Sequence, residues 1–404
     1  MNIKIRKSVV LYILFFIPFF KPVGLSVYAG VNSIYLIWKL VSLCVGIFII
    51  LNESSGTFIT YKKDTWFRGL FLFFLIYFLN CFSALMDLVT IVSNILVILE
   101  LITILSITKS ESKRKNMADA LNFIFSILLF LQIVSVFYIK AGHVVFEYIE
   151  DDYTYLLGTD NYSAFATIPM LGAILFFEYK RRSLFSKAKK VFLCVGLCTS
   201  YAYTGAVTAA IMSVVTVLAY IITKYNKFLL KFFTIKKVAV FCVSVLFLIM
   251  AFDIQNHMLW LLKLVGKGAK ATTLNSRTII WEKAINIIKQ NIIFGIGELS
   301  TEQVEGYALY GVGHAHNLIL DLLLKSGIVG TISYLFFYMG FLSKYFRRAL
   351  KSSGFILVIT LIGYFVLSMM DDYPFMPYIY CCLGLLWGSV KFETRENGKA
   401  KNAV

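Results

Sequence analysis

Long apolar runs, each of about twenty residues, recur along the whole chain and are the feature that most limits its fold. A run of this length crosses a bilayer as an α-helix, because the helix satisfies its own backbone hydrogen bonds there. Hydrophobic residues make up 59% of the chain and charged residues only 15%, too few to cover a surface in water. A membrane β-barrel would show short segments of alternating polarity instead. We therefore expect an all-α, polytopic integral membrane protein with a single membrane domain over residues 1–404.

Clusters of Lys and Arg separate the apolar runs and divide them into about twelve transmembrane helices. An even number places both termini on one side of the membrane. A cytoplasmic position for both termini also puts most of the basic clusters in the cytoplasm, as the positive-inside rule requires. The same distribution accounts for the formal net charge of +17 without a nucleic-acid partner. The expected location is the cytoplasmic membrane.

One connection, residues 253–318, is far longer than the others and joins the ninth and tenth spans on the extracytoplasmic side. Loops of this length in a compact domain are usually functional. Within it, residues 276–291 predict an amphipathic helix with Ile280, Ala284, Ile287 and Ile288 on one face, and the FGIG sequence at 294–297 ends that helix. In this topology all four histidines are extracytoplasmic: His143, His257, His314 and His316. We expect an active site that faces outwards and takes part of its residues from this loop.

Polar residues concentrate in the stretch 313–331, GHAHNLILDLLLKSGIVGT, where the long loop enters the tenth span. The imidazole of His316 suits a general base that deprotonates a hydroxyl, and an interfacial histidine bonded to a backbone carbonyl is the plainer alternative. Asp321 and Lys325 stand four residues apart, so on a helix they can form an ion pair. A metal site at His314 and His316 has thin support without a further ligand nearby. We expect no metal and no cofactor.

Arg277 lies near the start of the predicted loop helix. A guanidinium stays charged and presents a planar fork that fits phosphate oxygens. Beside a membrane it could hold the diphosphate of a lipid-linked sugar and stabilise the charge that develops on that leaving group. The alternative is an ordinary basic residue on an amphipathic helix that faces lipid head groups.

Four short motifs, taken in order, resemble those of the O-antigen ligase and polymerase superfamily. They are Asp160-Asn161 ahead of Ala164, Ser276-Arg277 followed by Trp281, residues 294–297, and His316-Asn317 followed by residues 327–331. Each motif alone is weak, and the resemblance depends on their order and spacing.

The resemblance implies metal-independent, inverting-type transfer of sugar chains from an undecaprenyl-diphosphate carrier. It implies that His316 activates the acceptor hydroxyl and that Arg277 binds the diphosphate. The expected substrate-binding residues are Asn317, Lys325, Tyr203, Asp160, Asn161 and Trp281. Tyr203 is a departure, because members of the family often carry a cation there and a tyrosine supplies only a hydrogen bond. Either Lys325 replaces that cation, or Arg277 holds the diphosphate with less help.

These features favour a Wzy-type polysaccharide polymerase, which joins undecaprenyl-diphosphate-linked oligosaccharide repeat units for capsule, exopolysaccharide or O-antigen. A ligase of the same superfamily would use the same residues to move a finished chain to another acceptor. A flippase for lipid-linked oligosaccharides is the alternative from another class, but its cationic residues would line a central cavity. The expected partners are the lipid-linked oligosaccharide, membrane lipid and a chain-length regulator protein.

Overall fold

The computed structural model describes residues 6–53, 65–83, 88–108, 110–141, 154–226, 272–297, 315–350, 352–369 and 375–401, with residues 228, 230, 234, 237 and 371. Most of the predicted ninth span at 237–255 and much of the loop 253–318, with His314, lie outside the described residues. The side chains of Asp160, Asn161 and Arg277 also lie outside them, although the backbone at these positions is helical.

Every regular element within the described residues is a helix. Two short 3-10 helices, Ile17–Phe20 and Val23–Val27, follow the first of twelve α-helices. The α-helices are α1 Lys7–Phe16, α2 Ala29–Glu53, α3 Thr65–Ser83, α4 Leu88–Ile107, α5 Glu111–Lys140, α6 Asp160–Phe177, α7 Leu184–Thr204, α8 Val207–Tyr225, α9 Thr272–Gln290, α10 Leu318–Ala349, α11 Gly354–Ser368 and α12 Pro377–Lys401.

Four of the described helices are long and apolar enough to cross a membrane, judged by length and composition. They lie at Gly30–Asn52, Glu111–Lys140, Thr208–Tyr225 and Leu318–Ala349. Their outer faces carry exposed apolar side chains such as Ile37, Phe48 and Phe130, which lipid would cover. The all-α prediction is thus confirmed for the described residues, and the four long apolar helices are consistent with a membrane protein. The number of spans and the sidedness of the long loop stay predictions.

Helices α6, α11 and the first half of α12, residues 377–389, form the centre of the bundle and are buried on most sides. The rings of Phe165 on α6 and Tyr364 on α11 pack edge to face, with centroids 5.3 Å apart. At one end of the bundle, the starts of α6, α10 and α12 meet the end of α11. We call this the His316 end, because His316 directly precedes α10 there.

The apolar pattern of the tenth span predicts one continuous helix. The structure differs, because α10 breaks at Gly327. Gly327 has φ 61° and ψ −168°, a conformation that only glycine adopts readily. The break leaves four backbone groups of α10 without partners inside the helix, and residues 292–297 supply the partners. The N–H groups of residues 296 and 297 donate to the carbonyls of 324 and 325, over 2.8 and 3.0 Å. The N–H groups of 328 and 329 donate to the carbonyls of 292 and 293, over 2.9 and 3.3 Å.

A buried carboxylate lies at the opposite end of α6. The side chain of Glu178 is 1% exposed and bonds Lys189 at 2.7 Å, Asn122 at 2.6 Å and Ser186 at 2.5 Å. Burial alone would raise the pKa of Glu178, but these hydrogen bonds outweigh it, so the pKa lies below its usual value. The cluster ties α5, α6 and α7 together at that end.

Candidate active site

A turn of three residues, 315–317, connects the long loop to α10 and presents His316. His316 has φ 48°, the left-handed conformation that is costly for a residue with a Cβ. Contacts on both sides of Ala315 hold the turn: its N–H donates to Asp321 Oδ1 at 3.0 Å, and its carbonyl accepts from Trp281 Nε1 at 2.9 Å. A residue held in such a conformation by its surroundings is typical of functional sites.

Asn317 caps the start of α10. Its Oδ1 accepts from the backbone N–H groups of Ile319 and Leu320, at 3.0 and 3.2 Å. These donors have no partner within the helix, so the cap stabilises the helix start. Its Nδ2 donates to the carbonyl of Met369 at 3.0 Å, at the end of α11. Asn317 therefore fixes the position of the His316 turn against α11, and its predicted contact with substrate stays a prediction.

His316 pairs with an acidic residue that the sequence reasoning missed. Its Nδ1 lies 3.0 Å from Oδ1 of Asp371, which follows α11, and the side chains are 22% and 10% exposed. A carboxylate at Nδ1 favours the tautomer that carries its proton there, which makes Nε2 the basic nitrogen. The available signal was Asp371-Asp372, two adjacent acids in the short break between two apolar runs. Asp371 lies 55 residues from His316 in the chain, so no local pattern links the two residues.

Asp321 and Lys325 form the predicted ion pair inside the bundle. Lys325 Nζ lies 2.6 Å from Asp321 Oδ2, and their side chains are 8% and 1% exposed. Asp321 therefore serves both as the counter-ion of Lys325 and as the acceptor that holds the His316 turn. This ion pair confirms the local pairing prediction and balances the charge of Lys325.

Helix α9 packs its apolar face against the first half of α10, near the turn. The predicted face is the buried one, formed by Ile280, Ala284, Ile287 and Ile288, which pack with Ala315 and Leu324. The helix begins at Thr272, earlier than the predicted start at residue 276. Arg277 stands one helical turn before Trp281, so the helix that carries Arg277 is tied to the turn that carries His316.

The first turn of α6 also lies at the His316 end. It contains Asp160 and Asn161, and Tyr162 Oη lies 3.9 Å from Met376 Sδ, in the segment that follows Asp371. The backbone thus brings the Asp160-Asn161 motif near the same end of the bundle as His316.

Tyr203 lies apart from this group in the described contacts. Its side chain is exposed, and its ring stacks on Phe137 of α5 with centroids 5.9 Å apart. The tyrosine of α7 that faces the centre is Tyr201, whose Oη lies 2.5 Å from Oγ1 of Thr167 on α6. No described contact joins Tyr203 to the His316 turn, and its role in binding substrate stays a prediction.

The arrangement therefore combines a histidine, a carboxylate at its Nδ1 and a helix that carries an arginine. Such a group can remove a proton from a hydroxyl and hold an anionic leaving group. A protein-family model described as O-antigen ligase matches residues 188–335, from α7 into α10. The match includes Arg277 and His316 but neither Asp160 nor Asp371. No curated protein matches the chain.

Proposed function

Residues 188–335 place the chain in the O-antigen ligase and polymerase superfamily, and on that premise we propose that it is a polysaccharide polymerase. It would join undecaprenyl-diphosphate-linked oligosaccharide repeat units by metal-independent glycosyl transfer at the outer face of the cytoplasmic membrane. The observation that carries this proposal is the pairing of Asp371 with His316, which lies on a strained turn directly before the helix that Asn317 caps.

The pair suits activation of a sugar hydroxyl. Nε2 of His316 takes the proton of the acceptor hydroxyl while its oxygen attacks the anomeric carbon of the donor chain. The bond between that carbon and the diphosphate oxygen breaks, and its electrons leave with the polyprenyl diphosphate. Asp371 stabilises the imidazolium that forms, through its bond to Nδ1, and keeps the ring oriented. Asp371 is thus a positioning residue in this proposal.

Arg277 is the cation that we assign to the leaving diphosphate. Its helix contacts the His316 turn through Trp281 and an apolar face, so the residues proposed as base and cation lie on elements that pack together. The charge of Lys325 is balanced by Asp321, which supports the alternative in which Arg277 holds the diphosphate with less help. A direct role of Lys325 in binding substrate remains a prediction, as does that of Asp160 and Asn161.

Purified protein incubated with one lipid-linked repeat unit tests this function. A ladder of longer lipid-linked chains identifies a polymerase, whereas transfer only to a second type of acceptor identifies a ligase. His316→Ala and Arg277→Ala should abolish the ladder while the protein still inserts and folds. Lys289→Ala, which removes a basic side chain from the other end of α9, is the matched control and should keep it. A normal ladder from His316→Ala would contradict the catalytic assignment.

A further inference from the structure

A second group of cationic residues lies in a cavity of about 310 Å³ beside the His316 end. The cavity lies between the segment that joins α1 to α2, helix α4, the start of α6 and the start of α12. Its polar lining consists mainly of Lys21, Lys39, Asn94 and Tyr162. Since each water occupies about 30 Å³ of the liquid, the space has room for a group about ten waters in size.

The charges in this cavity do not balance by direct contact. Lys39 stands ten residues into α2, about 15 Å along the helix, where a charge is costly unless it has a function or a partner. Lys39 and Lys21 repel each other, and the acidic group that attracts Lys39 is Glu100 on α4. Glu100 is fully buried, and neither of its oxygens accepts a hydrogen bond from the described residues. Lys39 and Glu100 therefore share no hydrogen bond. Among the described residues that line the cavity, two are lysines and none is an Asp or Glu.

We propose that this cavity binds the diphosphate of a second lipid-linked chain, the acceptor in the proposed polymerisation. The inference rests on the proposed function. A polymerase handles two lipid-linked chains at once: one releases its diphosphate near Arg277, and the other keeps its diphosphate and needs a separate anion site. Two lysines, an amide and a phenol provide charge and hydrogen-bond donors for phosphate oxygens, and the position beside apolar helices suits an amphiphile.

The position of the cavity fits an acceptor. Phe375 and Met376 line it, and Asp371, the partner of His316, precedes Phe375 by four residues. Four residues span at most about 14 Å, so this wall of the cavity lies within that distance of Asp371. The oligosaccharide of a repeat unit can bridge such a distance and bring its terminal hydroxyl to His316.

Binding of geranyl diphosphate, a soluble short-chain analogue, tests the proposal independently of turnover. We would measure it by calorimetry on the full-length protein in nanodiscs, with Arg277→Ala as the background so that the proposed donor site does not contribute. The Lys21→Met/Lys39→Met variant should weaken binding at least tenfold. Lys140→Met, which removes a lysine at the end of α5 outside the cavity lining, should not change it. Lys39→Arg keeps the charge and should retain binding, which separates lost charge from lost folding.

Further comparisons distinguish a site for a lipid-linked diphosphate from a general anion site, and a failure of the cavity proposal from a failure of the polymerase proposal. Inorganic pyrophosphate should bind more weakly than geranyl diphosphate, and equal affinities would overturn the assignment to a lipid-linked group. Unchanged affinity in the double lysine variant would overturn the proposal. If the lysine variants lose binding but the wild type forms no ladder, the polymerase proposal alone fails. If the ladder forms and the lysine variants bind normally, the cavity assignment alone fails.

Discussion

The break in α10 at Gly327 gives a quantitative test of how the active-site region is held together. In the Gly327→Ala variant, the added Cβ would collide with the carbonyl group of Ile293 and lie 2.5 Å from the nitrogen of Phe294. Both are backbone atoms that cannot move aside without displacing the 292–297 segment. The variant would therefore keep a strained φ near 61° and also have to move the two segments apart.

The cost follows from the contacts at the break. Strain at such a backbone conformation costs about 1–3 kcal/mol. Loss of two of the four hydrogen bonds between α10 and residues 292–297 adds about 1 kcal/mol each. We expect Gly327→Ala to lower the free energy of unfolding by about 3–5 kcal/mol. Because the same segment positions Lys325 and the first half of α10, polymer formation should fall as well.

The matched control is Gly340→Ala, in the second half of the same helix. A Cβ there would meet only Trp66, at an ordinary 3.6 Å, so this variant should be neutral or slightly stabilising. The measurement is reversible unfolding of the purified proteins in mixed micelles, followed by tryptophan fluorescence. If the free energies of unfolding of the Gly327→Ala and Gly340→Ala variants agree within about 0.5 kcal/mol, the hydrogen bonds between α10 and residues 292–297 do not stabilise the protein.

Three further predictions address the site and the opposite end of the bundle. Asp371→Asn should lower kcat about 10²-fold with little change in KM and should shift the pH profile of kcat, because it removes the charge that supports the imidazolium; an unchanged profile would refute this role. Trp281→Phe should destabilise the protein by about 1–2 kcal/mol in equilibrium unfolding, because the buried carbonyl of Ala315 loses its donor. The pKa of Glu178 is lower in the folded protein than in the unfolded chain, so its ionised carboxylate stabilises the fold fully at pH values above the ordinary pKa range of Glu. This contribution is lost as the pH falls through the folded-state pKa. Unfolding measured from pH 7 to 3 should therefore show an acid-induced loss of stability that Glu178→Gln reduces; equal slopes in both proteins would contradict it.

Interactions over a few residues were predictable because they depend on helix geometry alone. The apolar face of α9 follows from the spacing of Ile280, Ala284 and Ile287, and each of these residues is buried as expected. The ion pair of Asp321 and Lys325 follows from their separation of four residues. The break at Gly327 was not predictable, since the apolar run continues through it and glycine within a helix is tolerated.

The sequence by itself determined that this protein is helical and apolar, and where its polar chemistry is concentrated. Those properties depend on residue type and on the helical period. Only the tertiary structure decided which groups come together in space. It pairs Asp371 with His316, bonds residues 292–297 to the break at Gly327, and places Lys21 and Lys39 in the lining of one cavity. These pairings join segments far apart in the chain. They depend on how helices pack and on which backbone groups each break leaves to be satisfied, and no local pattern encodes either.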